Sequence, residues 1–157
     1  MSSNYTPPPF ALADIPSGSV VVTPTSLSAA LAVAAATLTT ILTINVPAQN
    51  WDQTIIVDGT ALVEAALAAI GYYDLILNIN GTAVAAGSDT LPISTAAYYK
   101  QSAIRTITSL SAGSGATIEL QIQASAAVTV EATSVETSEP GATALSAIAI
   151  PTSIDIP

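Results

Sequence analysis

The sequence predicts an all-β protein, a sandwich or barrel of short antiparallel strands, and three observations carry that expectation. Ile118, Leu120 and Ile122 alternate with Glu119, Gln121 and Gln123, the period of a strand with one buried face. Leu75, Leu77 and Ile79 alternate with Ile76, Asn78 and Asn80, and Gly81 follows. Asn-Gly suits a two-residue type I′ turn, which needs positive φ at both positions. Turn signals recur along the chain every ~8–12 residues, the spacing of a sandwich or barrel.

Residues 1–24 stand apart at the start. They hold Pro7, Pro8, Pro9, Pro16 and Pro24, with Tyr5 and Phe10 as isolated aromatics. Successive prolines impose a stiff, extended backbone with little entropy left to lose. The segment therefore reads as a docking arm, with Tyr5, Pro7, Pro8, Pro9, Phe10 and Leu12 as its contact residues. A disordered leader is the alternative. The folded domain is expected over residues 25–151, followed by a short tail over 152–157.

Within the domain, Thr37–Pro47 is β-branched and reads as a strand that Pro47 ends, with Ala48–Gln53 as a loop. Gln53–Gly59 reads as a second short strand closed by Asp58-Gly59. Leu27–Leu38 and Thr60–Ile70 are alanine-rich, and alanine is the best helix former. Asp58 and Gly71 could cap a helix over 60–70. A strand is preferred there, because the strand starting at Tyr73 needs a partner. With a type I′ turn at Asn80-Gly81, Ile79 should face Thr82 and Leu77 should face Val84, both pointing inward. Ile104, Thr106, Thr108 and Leu110 alternate with Arg105, Ile107 and Ser109 before the glycine-rich connection Ser111–Gly115. Val128 and Val130 should point inward and Thr129 and Glu131 outward. Ser138–Gly141 turns, and Thr143–Pro151 makes the last strand.

The 157 residues contain no Cys and no His, two cations and eleven acids, for a net charge of −9. Disulfides, thiolate sites and imidazole-based catalysis are thereby excluded. Two cations cannot make a phosphate-binding footprint, so neither nucleic acid nor an anionic membrane surface is an expected partner. Charged residues make up 8% of the chain against a usual ~25%, a shortfall that points to a surface covered by further copies of the chain or by partners. The alternative is a surface kept wet by Ser, Thr, Asn and Gln hydroxyls and amides. The N-terminus lacks the basic region of a secretion signal. Leu27–Val46 is uncharged over the length of a membrane span, but its Ala, Thr and Ser content and missing flanks argue against one.

No phosphate-binding loop or dinucleotide fingerprint occurs, and no catalytic residue, cofactor or metal is expected. Paired carboxylates are the remaining chemical option: Asp52 with Asp58, or Glu131 with Glu136 and Glu139. Clefts that hydrolyse sugars usually carry aromatic platforms, and Trp51 is the one tryptophan, so scattered solubilising acids are the preferred reading. Asp52, Asp58 or Asp89 could bind calcium, though no EF-type loop is present. Tyr98, Tyr99, Lys100 and Arg105 are candidates for a subunit interface. The tyrosines suit contact surfaces, and the cations could pair with acids of an adjoining copy or stay exposed.

The succession TTILTINVPA, TALVEAALAA, YYDLILNING, TITSLSAGSGATIELQIQAS, VTVEAT and ALSAIAIP resembles the small tumour-necrosis-factor-like or complement-globular-head-like jelly rolls of tailed bacteriophages. Thr106–Ser125 carries most of the likeness, as a strand, an L-x-A-G connection and a following strand. The resemblance spans roughly residues 25–151, with the alanine-rich segments and Asn50–Gly59 departing from it. It implies a two-sheet jelly roll forming a homotrimer, and a decoration or cement protein on the outer capsid surface of a virion. Its arm would then run along the major capsid protein. The alternative is a head-fibre or tail-fibre-tip module that contacts a host-surface glycan or receptor through loops near Trp51 or Tyr98. A carboxylate hydrolase is a third reading.

Overall fold

A computed structural model describes residues 20–65, 71–91, 98–133 and 141–152. Within these residues the strands are β1 (Val20–Ser26), β2 (Leu31–Val33), β3 (Thr39–Val46), β4 (Gln53–Ala65), β5 (Gly71–Ile79), β6 (Thr82–Leu91), β7 (Tyr98–Leu110), β8 (Ala116–Ala124), β9 (Val128–Glu131) and β10 (Ala144–Pro151). They form two packed antiparallel sheets, as the alternation predicts. The first has the order β1-β10-β4-β9-β2, with β7 on the other side of β4, and the second has β3-β8-β5-β6. β4 is long enough to pair with β10 along Gln53–Thr60 and with β9 along Leu62–Ala65.

The pairings nest. β5 pairs with β6, β4 with β7, β3 with β8, β2 with β9 and β1 with β10. The chain is thus one long hairpin folded over on itself, with its apex at Asn80-Gly81. That apex is built as the sequence predicts: Asn80 and Gly81 have φ of 51° and 83°, and Ile79 faces Thr82.

The core lies between the sheets. Ile55, Val57, Ala61 and Val63 of β4 face Leu75 and Leu77 of β5 and Ile118, Leu120 and Ile122 of β8, and all are essentially excluded from solvent. In β9, Val128 and Val130 are buried while Thr129 and Glu131 are not, as expected.

Several elements differ from the sequence reading. Asp58-Gly59 does not end a strand, because β4 runs through it to Ala65. The glycine is there for space: a Cβ at Gly59 would lie 2.9 Å from Leu120 Cδ1 and 3.3 Å from Ile104 Cγ2. Residues 60–65 are strand, and 66–70 lie outside the described residues. The expected partner of the strand beginning near Tyr73 is different, however. β4 and β5 belong to opposite sheets, and β5 pairs with β6 and β8. Leu77 faces Ala85 and not Val84, because the register shifts between Leu77 and Asn78. This bulge turns Val84 outward, and it is 39% exposed.

β1 begins at Val20, so residues 20–24 belong to the sheet and the expected arm is shorter than residues 1–24. Pro24 falls at a register shift in this edge strand, where a missing N–H breaks no ladder. The alanine-rich stretch before β3 supplies only the three-residue β2 and a turn in which Ala36 has φ 57°. A left-handed alanine costs of order 1 kcal/mol. No helix among the described residues is long and apolar enough to cross a membrane.

Candidate functional site

The two outer faces of the sandwich differ in chemistry. On the second sheet, β8 turns out Thr117, Glu119, Gln121 and Gln123, and β3 adds Thr40, Thr43 and Asn45. These side chains bond one another: Gln121 Nε2 donates to Glu119 Oε2 at 3.0 Å, and Thr117 Oγ1 donates to Asn45 Oδ1 at 3.0 Å. That face is built for water.

The first sheet shows the opposite. Ile56 of β4 faces Ile107 of β7 on one side and Ile148 of β10 on the other. Directly paired residues share a face, so the three isoleucines form a row across the sheet. Ile107 is 64% exposed and Ile148 38%. In the next row Asp58 faces both Arg105 and Ser146. Arg105 Nε donates to Asp58 Oδ1 at 2.5 Å and Nη2 to Oδ2 at 3.1 Å, a two-pronged pair that cancels the charge beside the isoleucines. Asp58 raises the Arg105 pKa. Beyond it come Thr60, Ala103 and Ala144. A β-branched apolar row between small and internally neutralised neighbours can adhere to a similar surface without burying an unpaired charge.

A second cluster closes one side of the sandwich, where β6 and β7 approach. Tyr73, fully buried, faces Asp89 across the β5–β6 pair. Its hydroxyl lies 2.5 Å from Ser102 Oγ. Ser102 Oγ donates to Asp89 Oδ2 at 2.5 Å, and Lys100 Nζ donates to Asp89 Oδ1. Tyr73 also bonds the Asp89 carboxylate, so the two hydroxyls and the lysine converge on one acid. Burial alone would raise the Asp89 pKa, but the bonds from Lys100, Ser102 and Tyr73 and the lysine charge outweigh it, and the carboxyl is held below its usual range. The cluster ties β5, β6 and β7 together.

At the same end, Glu64 and Glu131 meet on the β4–β9 pair, Glu131 opposite Leu62 and Glu64 opposite Thr129. Burial, then the hydrogen bond and charge of Glu64, push the Glu131 carboxyl above its usual range.

Of the candidate interface residues, Lys100 and Arg105 both spend their charge within the chain, on Asp89 and Asp58. Tyr99 is half-buried and faces Glu64, and Tyr98 faces Ala65 at the start of β7. Tyr5, Pro7, Pro8, Pro9, Phe10 and Leu12 lie outside the described residues, as do Glu136 and Glu139. The acids suggested as a catalytic pair have separate tasks. Asp52 Oδ1 accepts from the Ala112 N–H at 2.8 Å, pinning the Ser111–Gly115 connection, while Asp58 holds Arg105. Among the described residues, no group of three or more acids is placed to hold a metal ion.

Sequence reasoning singled out Arg105 but not the isoleucine row beside it. Ile107 is visible as an apolar residue on the polar phase of its strand. Its neighbours Ile56 and Ile148 are identified only by pairings between distant parts of the chain.

The fold and surfaces define a β-sandwich with an isoleucine row across one outer face and a face rich in hydroxyls and amides on the other. No protein-family model matches the chain, and no curated protein is similar to it in sequence.

Proposed function

We propose that the protein is a structural adhesion module, a jelly-roll decoration or cement protein that trimerises on the outside of a bacteriophage capsid and strengthens contacts between capsomers. The observation that carries the adhesive part is the row Ile107–Ile56–Ile148, exposed at its two ends and half-buried at Ile56, beside a neutralised Asp58–Arg105 pair. The nested strand pairing supports the jelly-roll reading, since a jelly roll is a long hairpin rolled into two sheets. The capsid part rests on the phage-type resemblance of Thr106–Ser125 and on the proline-rich arm. Burial on association contributes about 25 cal/mol per Å² of apolar surface before association costs, and many copies on one shell multiply it.

The test is binding to empty expanded capsids of the phage that carries the protein. Binding that disappears when residues 1–19 are removed supports the reading, and full-length protein that ignores capsids overturns it. The truncation stops at 19 because Val20 already belongs to β1. A second reading, a fibre-tip module for a host glycan, is favoured by the exposed Tyr72 on the hydrated face. Such a module would bind cells and leave capsids alone.

A further inference from the structure

On the hydrated face, at the end where β5 begins and β8 ends, lies a cleft of about 300 Å³ lined by Ala36, Tyr72, Asp74, Gln123, Ala124 and Ser125. Three features coincide there. Tyr72 is 55% exposed, a large ring on a face made mostly of hydroxyls, amides and carboxylates, with Ile76 half-buried among them. Asp74 and Gln123 are directly paired across β5 and β8, so their planar polar groups stand side by side two residues along from the ring. Ser88 Oγ donates to Asp74 Oδ1, which fixes the carboxylate and leaves its other oxygen to accept. The third feature is the wall. Ala36 is held in the left-handed region at φ 57°, with its N–H on the Ala124 carbonyl at 2.7 Å and its own carbonyl accepting from Gln123 Nε2 at 3.4 Å. Strained backbone of this kind gathers at binding sites.

We propose that this cleft binds a neutral saccharide. A pyranose offers an apolar face of C–H groups that stacks on an aromatic ring. Around its rim are hydroxyls that both donate and accept, and a carboxylate beside an amide supplies the matching acceptors and donors. Apart from the fixed Asp74 carboxylate the cleft is lined by uncharged groups, which disfavours anionic sugars and phosphates. The Tyr72 ring and the Asp74–Gln123 pair lie on the sheet opposite the isoleucine row, so association through that row leaves the cleft open, once per copy. The proposal deepens the fibre-tip reading by giving a glycan its place, and it is independent of capsid binding.

The test is a titration of isotope-labelled full-length protein with methyl α-galactopyranoside, methyl α-glucopyranoside and N-acetylglucosamine, following backbone amide shifts. Single sugars are expected to bind in the millimolar range, so the series runs to about 100 mM. Saturable shifts at Tyr72, Asp74 and Gln123 with at least one sugar are expected. Tyr72→Ala and Asp74→Asn should each weaken them roughly tenfold, while Tyr72→Trp, which keeps the platform and reports on folding, should retain them. No saturable shift with any of the three sugars, or shifts that survive Tyr72→Ala unchanged, would overturn the proposal. Sugar binding by a protein that does not attach to cells would keep the site and reject only the fibre-tip reading.

Discussion

Gly59→Ala puts the packing of the two sheets to a quantitative test. The backbone at Gly59 is not in the left-handed region, so alanine is conformationally allowed there. Restricting the unfolded chain would by itself stabilise the variant by about 0.4–1 kcal/mol. Space decides otherwise. The new methyl would sit 2.9 Å from Leu120 Cδ1, 3.3 Å from Ile104 Cγ2 and 3.5 Å from Leu77 Cδ2. Leu120 and Leu77 are fully buried between the sheets, so any shift of either must be taken up by the packed core. Overpacking of this sort costs about 1–3 kcal/mol, leaving a net loss of roughly 1–2 kcal/mol. For a chain of this size that is a fall of about 2–8 °C in Tm. Gly87→Ala is the matched control. It also lies in a strand, faces Leu75, and has no atom within 4 Å of its virtual Cβ, so it should gain about 0.4–1 kcal/mol. Urea and thermal unfolding of both variants read the difference. Equal stabilisation by the two substitutions would show that the sheets do not meet closely at Gly59.

Other expectations concern charge and association. Asp89 has a lowered pKa in the folded protein, so its contribution is present above the unfolded value of 3.8 and is lost as pH falls through the lower folded value. Asp89→Asn should therefore flatten the acid limb of a stability–pH curve below about pH 4. Glu131 has the opposite sign. Its folded pKa lies above 4.5, so the folded state loses stability as pH rises from 4.5 through that value, and Glu131→Gln should be more stable than the parent at pH 7 and equal to it well below 4.5. An unchanged profile in either variant would show that the pairing around that carboxyl is wrong. Ile107→Ser removes most of an exposed isoleucine from the association surface. It should weaken self-association by roughly 10-fold or more per contact, from about 1.5–3 kcal/mol for burying such a side chain, without lowering Tm of the dissociated chain.

Much of the fold is legible in the amino-acid order because one face of each central strand is dry. Leu75, Leu77 and Ile79, or Ile118, Leu120 and Ile122, leave no choice of period, and Asn80-Gly81 fixes the turn between β5 and β6. Legibility fails where a residue serves the tertiary structure in place of local rules. Gly59 looks like a turn signal but is a gap for Leu120. The bulge at Val84 has no local mark, since Ala83, Ala85 and Ala86 around it show no apolar pattern. The clusters need the whole nested pairing: Tyr73, Asp89 and Ser102 come from three strands, and Ile56, Ile107 and Ile148 meet only because β4 lies between β7 and β10. Arg105 and Lys100 stood out by rarity, yet rarity did not reveal that their partners lie in the same chain.

On the proposed function, this protein adheres to itself through a sheet face whose neighbouring charges, Asp58 and Arg105, neutralise each other. Sedimentation velocity of the full chain at micromolar concentration, in dilute buffer and again in ~1 M salt, where screening reaches ~3 Å, measures it directly. The account predicts the same multiple of 15.7 kDa in both buffers, three copies if the capsid reading holds. A single 15.7 kDa species, or an oligomer that salt alone dissociates, would contradict it.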